Sequence, residues 1–175
     1  MARTHRLWAP VFVGLLVAVL AGSVGGAVTA AEPSVATASI VVPAAAFAAI
    51  DSTSVYHNEG FYLAASAGGG FLAPVVFPVP VVSIKKVTLY ALDNSSGGDV
   101  CLSLIRLALA DVAVRNQGRV CTIGAAATDF QVVTLTNFSP RLVNTALHGS
   151  YLLAQIPAGQ LLHGVKITYS YETGT

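Results

Sequence analysis

Few side chains in this sequence could do chemistry. Eight carboxylates follow the apolar N-terminal run: Glu32, Asp51, Glu59, Asp93, Asp99, Asp111, Asp129 and Glu172. A glycosidase needs two carboxylates facing each other across a cleft. Asp93 and Asp99 are the nearest pair, but they flank the segment DNSSGGD and read as solvated turn residues. The oxygens of Asp93, Ser95 and Asp99 are spaced like part of a calcium loop, yet the further acids and closing Glu of an EF-hand are missing. His57, His148 and His163 stand at no zinc-binding spacing, and each reads as a surface or loop histidine. No G-x-S-x-G elbow occurs. Gly68-Gly69-Gly70 lacks the lysine and helix of a phosphate loop and reads as a connection between strands. The sequence thus assigns no catalytic, metal or cofactor-binding residue. A Ser-His-Asp site needs only proximity in space, so a hydrolase site assembled from distant loops stays open.

Binding chemistry has one candidate set. Tyr56, Phe61, Tyr62, Tyr90, Tyr151, Tyr169 and Tyr171 could furnish a sugar-stacking platform, because tyrosine joins an apolar face to a polar tip. Packing in the core and at sheet edges is the simpler account. The only tryptophan, Trp8, belongs to the N-terminal run, so the broadest stacking face is missing from the rest.

These groups must be held by a single domain. The chain has 175 residues, of which 54% are hydrophobic and 10% charged. That excludes a disordered chain and a coiled coil. A net charge of +1 without a basic run excludes electrostatic nucleic-acid binding. Arg3 and Arg6 precede an uncharged stretch from Leu7 to Ala31, strongest over Leu7 to Leu20, and small residues follow. This order predicts a signal-peptide helix over residues 1–31, cut after Ala30 or Ala31. The stretch is long enough to be a retained anchor, but Gly22, Ser23, Gly25 and Gly26 weaken its second half as a helix. Residues 32–175 then form one secreted, extracellular domain, with no membrane contact after cleavage. Its 7 basic and 8 acidic groups leave a charge of −1. Export puts Cys101 and Cys121 in an oxidising compartment, where a pair suits one intramolecular disulfide. Two buried free thiols are the alternative.

Strand signals fill that domain. Short apolar runs cover Ser39–Phe47 and Gly60–Ala67, and Pro74 marks Phe71–Phe77 as an edge or irregular strand. Val81–Asp93 alternates, but on neither face throughout, as a bulge or a partly covered outer face would produce. Val100–Ala110 reads as strand rather than helix, with Val100, Leu102 and Leu104 on one face. Asn116-Gln117-Gly118 predicts a turn between VAVR and RVCTI. Asp129–Thr136 and Tyr151–Ile156 follow, and the cleanest alternation closes the chain, with Val165, Ile167, Tyr169 and Tyr171 on one face. Eight to ten such strands predict an all-β antiparallel sandwich, jelly-roll-like, rather than a closed barrel.

The phrases VPAAAF, GFYLAASAGGGFLAPVVFP, VTLYALDNS, VCLSLIR, LLAQIPAG and LHGVKITY resemble uncharacterised secreted bacterial β-sandwich proteins with an N-terminal IPAAAF-like and a C-terminal GVRIxY-like strand. The resemblance spans Ser39 to Tyr171 and implies secretion and a single sandwich, with no activity and no site residue to transfer. It also implies that the sequons at Asn94 and Asn137 go unused. Two function classes follow. The first is a non-catalytic extracellular binding or structural module whose partner is an unidentified protein or glycan. The second is a secreted hydrolase or a carbohydrate-binding module with tyrosine platforms.

Overall fold

The computed structural model describes residues 33–125 and 130–173. The expected signal peptide, Glu32 and Asp129 lie outside them. The strands are β1 (Ser34–Pro43), β2 (Ala48–Ala49), β3 (Tyr56–Asn58), β4 (Leu63–Ala65), β5 (Gly69–Val75) and β6 (Val81–Leu92). They continue as β7 (Cys101–Ala108), β8 (Val114–Cys121), β9 (Gln131–Leu135), β10 (Leu142–Asn144), β11 (His148–Ile156) and β12 (Leu161–Thr173). One 3-10 turn, Ala44–Ala46, follows β1. Among the described residues no helix is long and apolar enough to cross a membrane.

The strands form two antiparallel sheets, as the alternation predicted. In the seven-stranded sheet β12 is central, with β6 on one side and β1 and β4 end to end on the other. β3 lies beyond β4, and β9 and β10 beyond β6. The five-stranded sheet runs β2-β5-β11-β7-β8. Side chains of both sheets alternate into one core, including Phe71, Leu104 and Leu152 from the smaller and Ile84, Leu89 and Ile167 from the larger. Val165, Ile167 and Tyr169 are buried as expected, and Tyr171 is half-buried.

Three bulges set the phase of the strands. In β6 Thr168 pairs with Lys86 and Tyr169 with Ile84, so Lys85 is the extra residue. This is the expected break in alternation: Val82 and Ile84 point inward before it, Val87, Leu89 and Ala91 after it. In β8 the extra residue is Gln117, between the rungs Leu104–Gly118 and Ile105–Asn116. The predicted turn at Asn116–Gly118 is therefore wrong. Gly118 N–H does donate to Asn116 Oδ1, at 3.0 Å, but this local bond kinks a continuous strand. Gln117 swings into the core and donates Nε2–H to Pro140 O at 2.6 Å. The chain reverses instead at 109–113, where Ala113 N–H donates to Asp111 Oδ1. Gly69 and Gly70 likewise belong to β5, so only Gly68 serves the connection.

Cys101 and Cys121 are directly opposed on β7 and β8 and are joined by a disulfide. Beside them lies a correction to the reading of Asp93. This residue is fully buried, not a solvated turn residue. Its Oδ2 accepts the Thr122 hydroxyl hydrogen, and its Oδ1 accepts Gln160 Nε2–H at 2.7 Å and Ser95 N–H at 3.3 Å. Thr122 Oγ1 also accepts Val100 N–H at 2.9 Å.

Two stability predictions follow from this packing. Ile167→Ala should cost about 2–5 kcal/mol by emptying a core site, whereas Thr168→Ala on the opposite face should cost under about 1 kcal/mol. Equal losses in urea unfolding would mean that the faces of β12 are reversed. Thr122→Val keeps the volume but leaves the Asp93 carboxylate one donor short, and should cost about 2–3 kcal/mol. The same urea unfolding measures this, and a loss below 0.5 kcal/mol, a threshold on the scale of an ordinary surface change, would show the knot to be dispensable.

Candidate functional site

The outer face of the seven-stranded sheet carries the groups best placed to meet a ligand. Register aligns them in rows across four strands. Val41 (β1), Lys166 (β12), Thr88 (β6) and Thr134 (β9) form one row; Ser39, Thr168 and Lys86 form the next. The hydroxyls of Ser39 and Thr168 are 3.2 Å apart, and those of Thr88 and Thr134 3.4 Å. Lys86 and Lys166 are exposed among them.

One end of this face is aromatic, and a bulge makes it so. Leu162 pairs with Ala91 and Gly164 with Tyr90, leaving His163 as the extra residue of β12. Bulges re-aim side chains, and here the imidazole is turned toward the rings around it. Phe130 packs edge-on against His163 with ring centres 4.1 Å apart; Tyr62 lies 6.3 Å from His163, and Phe61 4.9 Å from Tyr62. Phe61 and Phe130 are 67% and 52% exposed. Gly164 admits no side chain easily, because a Cβ there would stand 3.0 Å from Val42 O. The bare backbone leaves an apolar depression of about 430 Å³ edged by Val41, Tyr90, Phe130, His163 and Lys166. Among the described residues no carboxylate lines it. A second depression, of about 770 Å³, lies over Val35, Ser83, Leu142, Ser170 and Glu172 toward the other end.

His163 Nε2 is buried without a hydrogen-bond partner. Burial also holds the imidazole pKa below its ordinary 6.5, so the ring is neutral at pH 7 and presents one donor and one acceptor nitrogen. The arrangement offers apolar ring surface, a neutral imidazole, paired hydroxyls and two ammonium groups. Among the described residues it holds no nucleophile with a base beside it.

The other residues singled out from the sequence scatter. His57 is exposed on β3, and His148 Nδ1 bonds to Asn144 O at 3.0 Å. Asp99 is exposed in a small depression with Arg119 and Gln155 while Asp93 is sealed inside, so the two do not face each other across a cleft. Among the described residues no cluster of three His, Cys, Asp or Glu side chains could hold a metal ion. The aromatic set divides differently from the expectation of packing. Tyr169 is core, Tyr151 is half-buried on the five-stranded sheet, and Phe61, Tyr62 and Tyr90 converge on one end of one face. The sequence reading missed His163 and Phe130 as members; a histidine before glycine inside a strand pattern was the signal available for the bulge.

The chain matches no family model and no curated protein. Among solved structures it is similar to the C-terminal CBM6 of LamC, a marine laminarinase from Zobellia galactanivorans, at 13% identity and TM-score 0.47, over 75% of this chain and 99% of the other. It is similar to the xylan-binding module CBM15 at 16% identity and TM-score 0.44, over 76% and 97%. A family 29 carbohydrate-binding module from Piromyces equi gives 13%, 0.41, 77% and 90%. With TM-scores below 0.5, these likenesses assign no ligand to this chain.

The site makes a pH prediction. The folded chain holds the His163 proton less tightly than the unfolded chain does. The stability tied to the neutral ring is therefore present above pH 6.5, falls as pH drops below it, and levels off once the folded form titrates. Phe130→Ala should uncover the imidazole and move its NMR titration midpoint up toward 6.5. A wild-type midpoint at or above 6.5 would contradict the burial described for the ring.

Proposed function

We propose that the protein is a non-catalytic extracellular binding module that holds a polysaccharide chain on the outer face of its seven-stranded sheet. The observation that carries this reading is the exposed aromatic end of that face, continuous with rows of Ser and Thr hydroxyls. A pyranose ring has an apolar face of C–H groups and a rim of hydroxyls. Phe130, Tyr90 and Phe61 suit the first, and the Ser39–Thr168 pair and the exposed Thr134, held by Thr88 beneath it, suit the second. A long shallow face also suits a polymer better than a small metabolite, which is normally enclosed.

The extracellular setting rests on two supports: the joined cysteines, since disulfides persist in oxidising compartments, and the N-terminal run expected to act as a signal peptide. The rival hydrolase reading would gain from a pocket joining a histidine to an acid and a hydroxyl. Among the described residues the His163 depression has no acid, and Asp93 spends its oxygens on Thr122, Gln160 and Ser95.

The test is titration calorimetry against soluble glucans, xylans, mannans and polygalacturonate. At least one should bind. Tyr90→Ala and Phe130→Ala should each weaken it about tenfold, equivalent to about 1.4 kcal/mol. Tyr151→Ala, on the other sheet, should leave it unchanged. Binding to none, or binding indifferent to Tyr90 and Phe130, overturns the reading.

A further inference from the structure

β1 forms one margin of the seven-stranded sheet. Its ten rungs with β12 run from Ser34–Thr173 to Pro43–Gly164 without a shift. Among the described residues it pairs with no other strand. Its far side is therefore a row of backbone N–H and C=O groups open to another chain. Proteins normally blunt such margins with charge, proline, a bulge or short length. Most of the other margins here do so: β8 has Arg115, Arg119 and the Gln117 bulge, β5 has Pro74 beyond the two residues that β2 covers, and β2, β3 and β10 are two or three residues long, while the uncharged β9 is half the length of β1. β1 has ten residues, no charge, no bulge and proline only at its last position.

The strand's own sequence says what fits that margin. About Ala38 its chemistry reads alike in both directions: Thr37 and Ser39, then Ala36 and Ile40, then Val35 and Val41. Opposed residues of an antiparallel pair share a face of the sheet. A twofold through Ala38 thus sets Val35 against Val41 and Thr37 against Ser39 on the outer face, and Ala36 against Ile40 on the inner. Val35 and Val41 are each 68% exposed in the single chain. Centring the twofold on Thr37 opposes Val35 to Ser39, and centring it on Ser39 opposes Thr37 to Val41, so only Ala38 matches like with like. We propose that β1 pairs antiparallel with β1 of a second copy, a self-complementary contact with its twofold at Ala38. The two sheets then continue as one, and their outer faces lie on the same side. If the polysaccharide reading holds, two binding faces adjoin; the pairing itself does not rest on it.

Sedimentation equilibrium on the full chain should show a dimer at micromolar concentration. Thr37→Lys with Ser39→Lys sets like charges opposite one another and should weaken the dimer at least tenfold. Thr37→Lys with Ser39→Glu sets opposite charges there and should restore it. Both positions face outward, and circular dichroism checks that each variant folds. As a second measurement, Ala38→Cys should give a covalent dimer on mild oxidation, and Ala36→Cys, opposed to Ile40, should not. A monomer at every concentration overturns the proposal, as does a dimer indifferent to the paired lysines. Loss without restoration by the Lys/Glu pair, or equal cross-linking at both cysteine positions, overturns the register.

Discussion

A buried carboxylate with neutral partners ties the two sheets together at one end. Asp93 leaves the end of β6 and receives hydrogen bonds from Thr122, at the end of β8, and from Gln160, in the turn between β11 and β12. Gln160 also donates to Gly98 O, and Thr122 accepts from Val100, which precedes β7. Four strand ends from both sheets thus meet at one side chain. Desolvating a carboxylate is costly unless its lone pairs are filled, and each donor here would in turn lose its partner without it. The Cys101–Cys121 bond clamps β7 to β8 immediately beside Val100 and Thr122. The covalent tie and the polar knot therefore restrain the same corner.

That corner fixes the register on which the outer face depends. Leu92 precedes Asp93 and Leu161 follows Gln160, and these two leucines are partners across β6 and β12. The next rung is Ala91–Leu162, and the bulge at His163 comes directly after it. With Asp93 and Gln160 bonded, the rungs beside them cannot slide. The extra residue then falls at 163, and the glycine opposite Tyr90 opens the floor of the depression. A slip of one residue would exchange the inner and outer faces of a strand.

How far this was legible in the sequence depends on the range of the interactions. The inner face of β12 and the break of alternation in β6 are written in the local pattern and were readable; that a bulge rather than a partly covered outer face causes the break is visible only in the pairing with β12. The sandwich followed from the number and spacing of such runs. Burial of Asp93 was not readable, because Thr122 and Gln160 lie 29 and 67 residues away. A short Asp/Ser/Gly segment signals a turn equally well whether its first residue is solvated or bonded inward. Asn116-Gln117-Gly118 failed differently. The same Asx contact that reverses a chain in a turn merely kinks it in a strand, and the choice between them was made by Pro140 and Ser139, which bond Gln117 from another sheet's loop. The first half of β1, rich in Ala, Ser and Thr, is strand chiefly because β12 supplies its partners.

The bulges also explain how one face stays suited to a ligand without losing the core. Before Lys85, the even-numbered residues Val82 and Ile84 point inward; continued unbroken, that phase would bury Lys86, Thr88 and Tyr90 and expose Val87, Leu89 and Ala91. One extra residue reverses the assignment. It sends Lys86 and Tyr90 outward and keeps Thr88 in the outward row beneath its neighbours. β12 makes the same exchange at His163, after which Val165 and Ile167 turn in and Lys166 turns out. Neither bulge improves the hydrogen-bond ladder, which each interrupts. What they secure is phase: two strands of unequal pattern present apolar side chains to one core and hydroxyls, ammonium groups and rings to one outer surface.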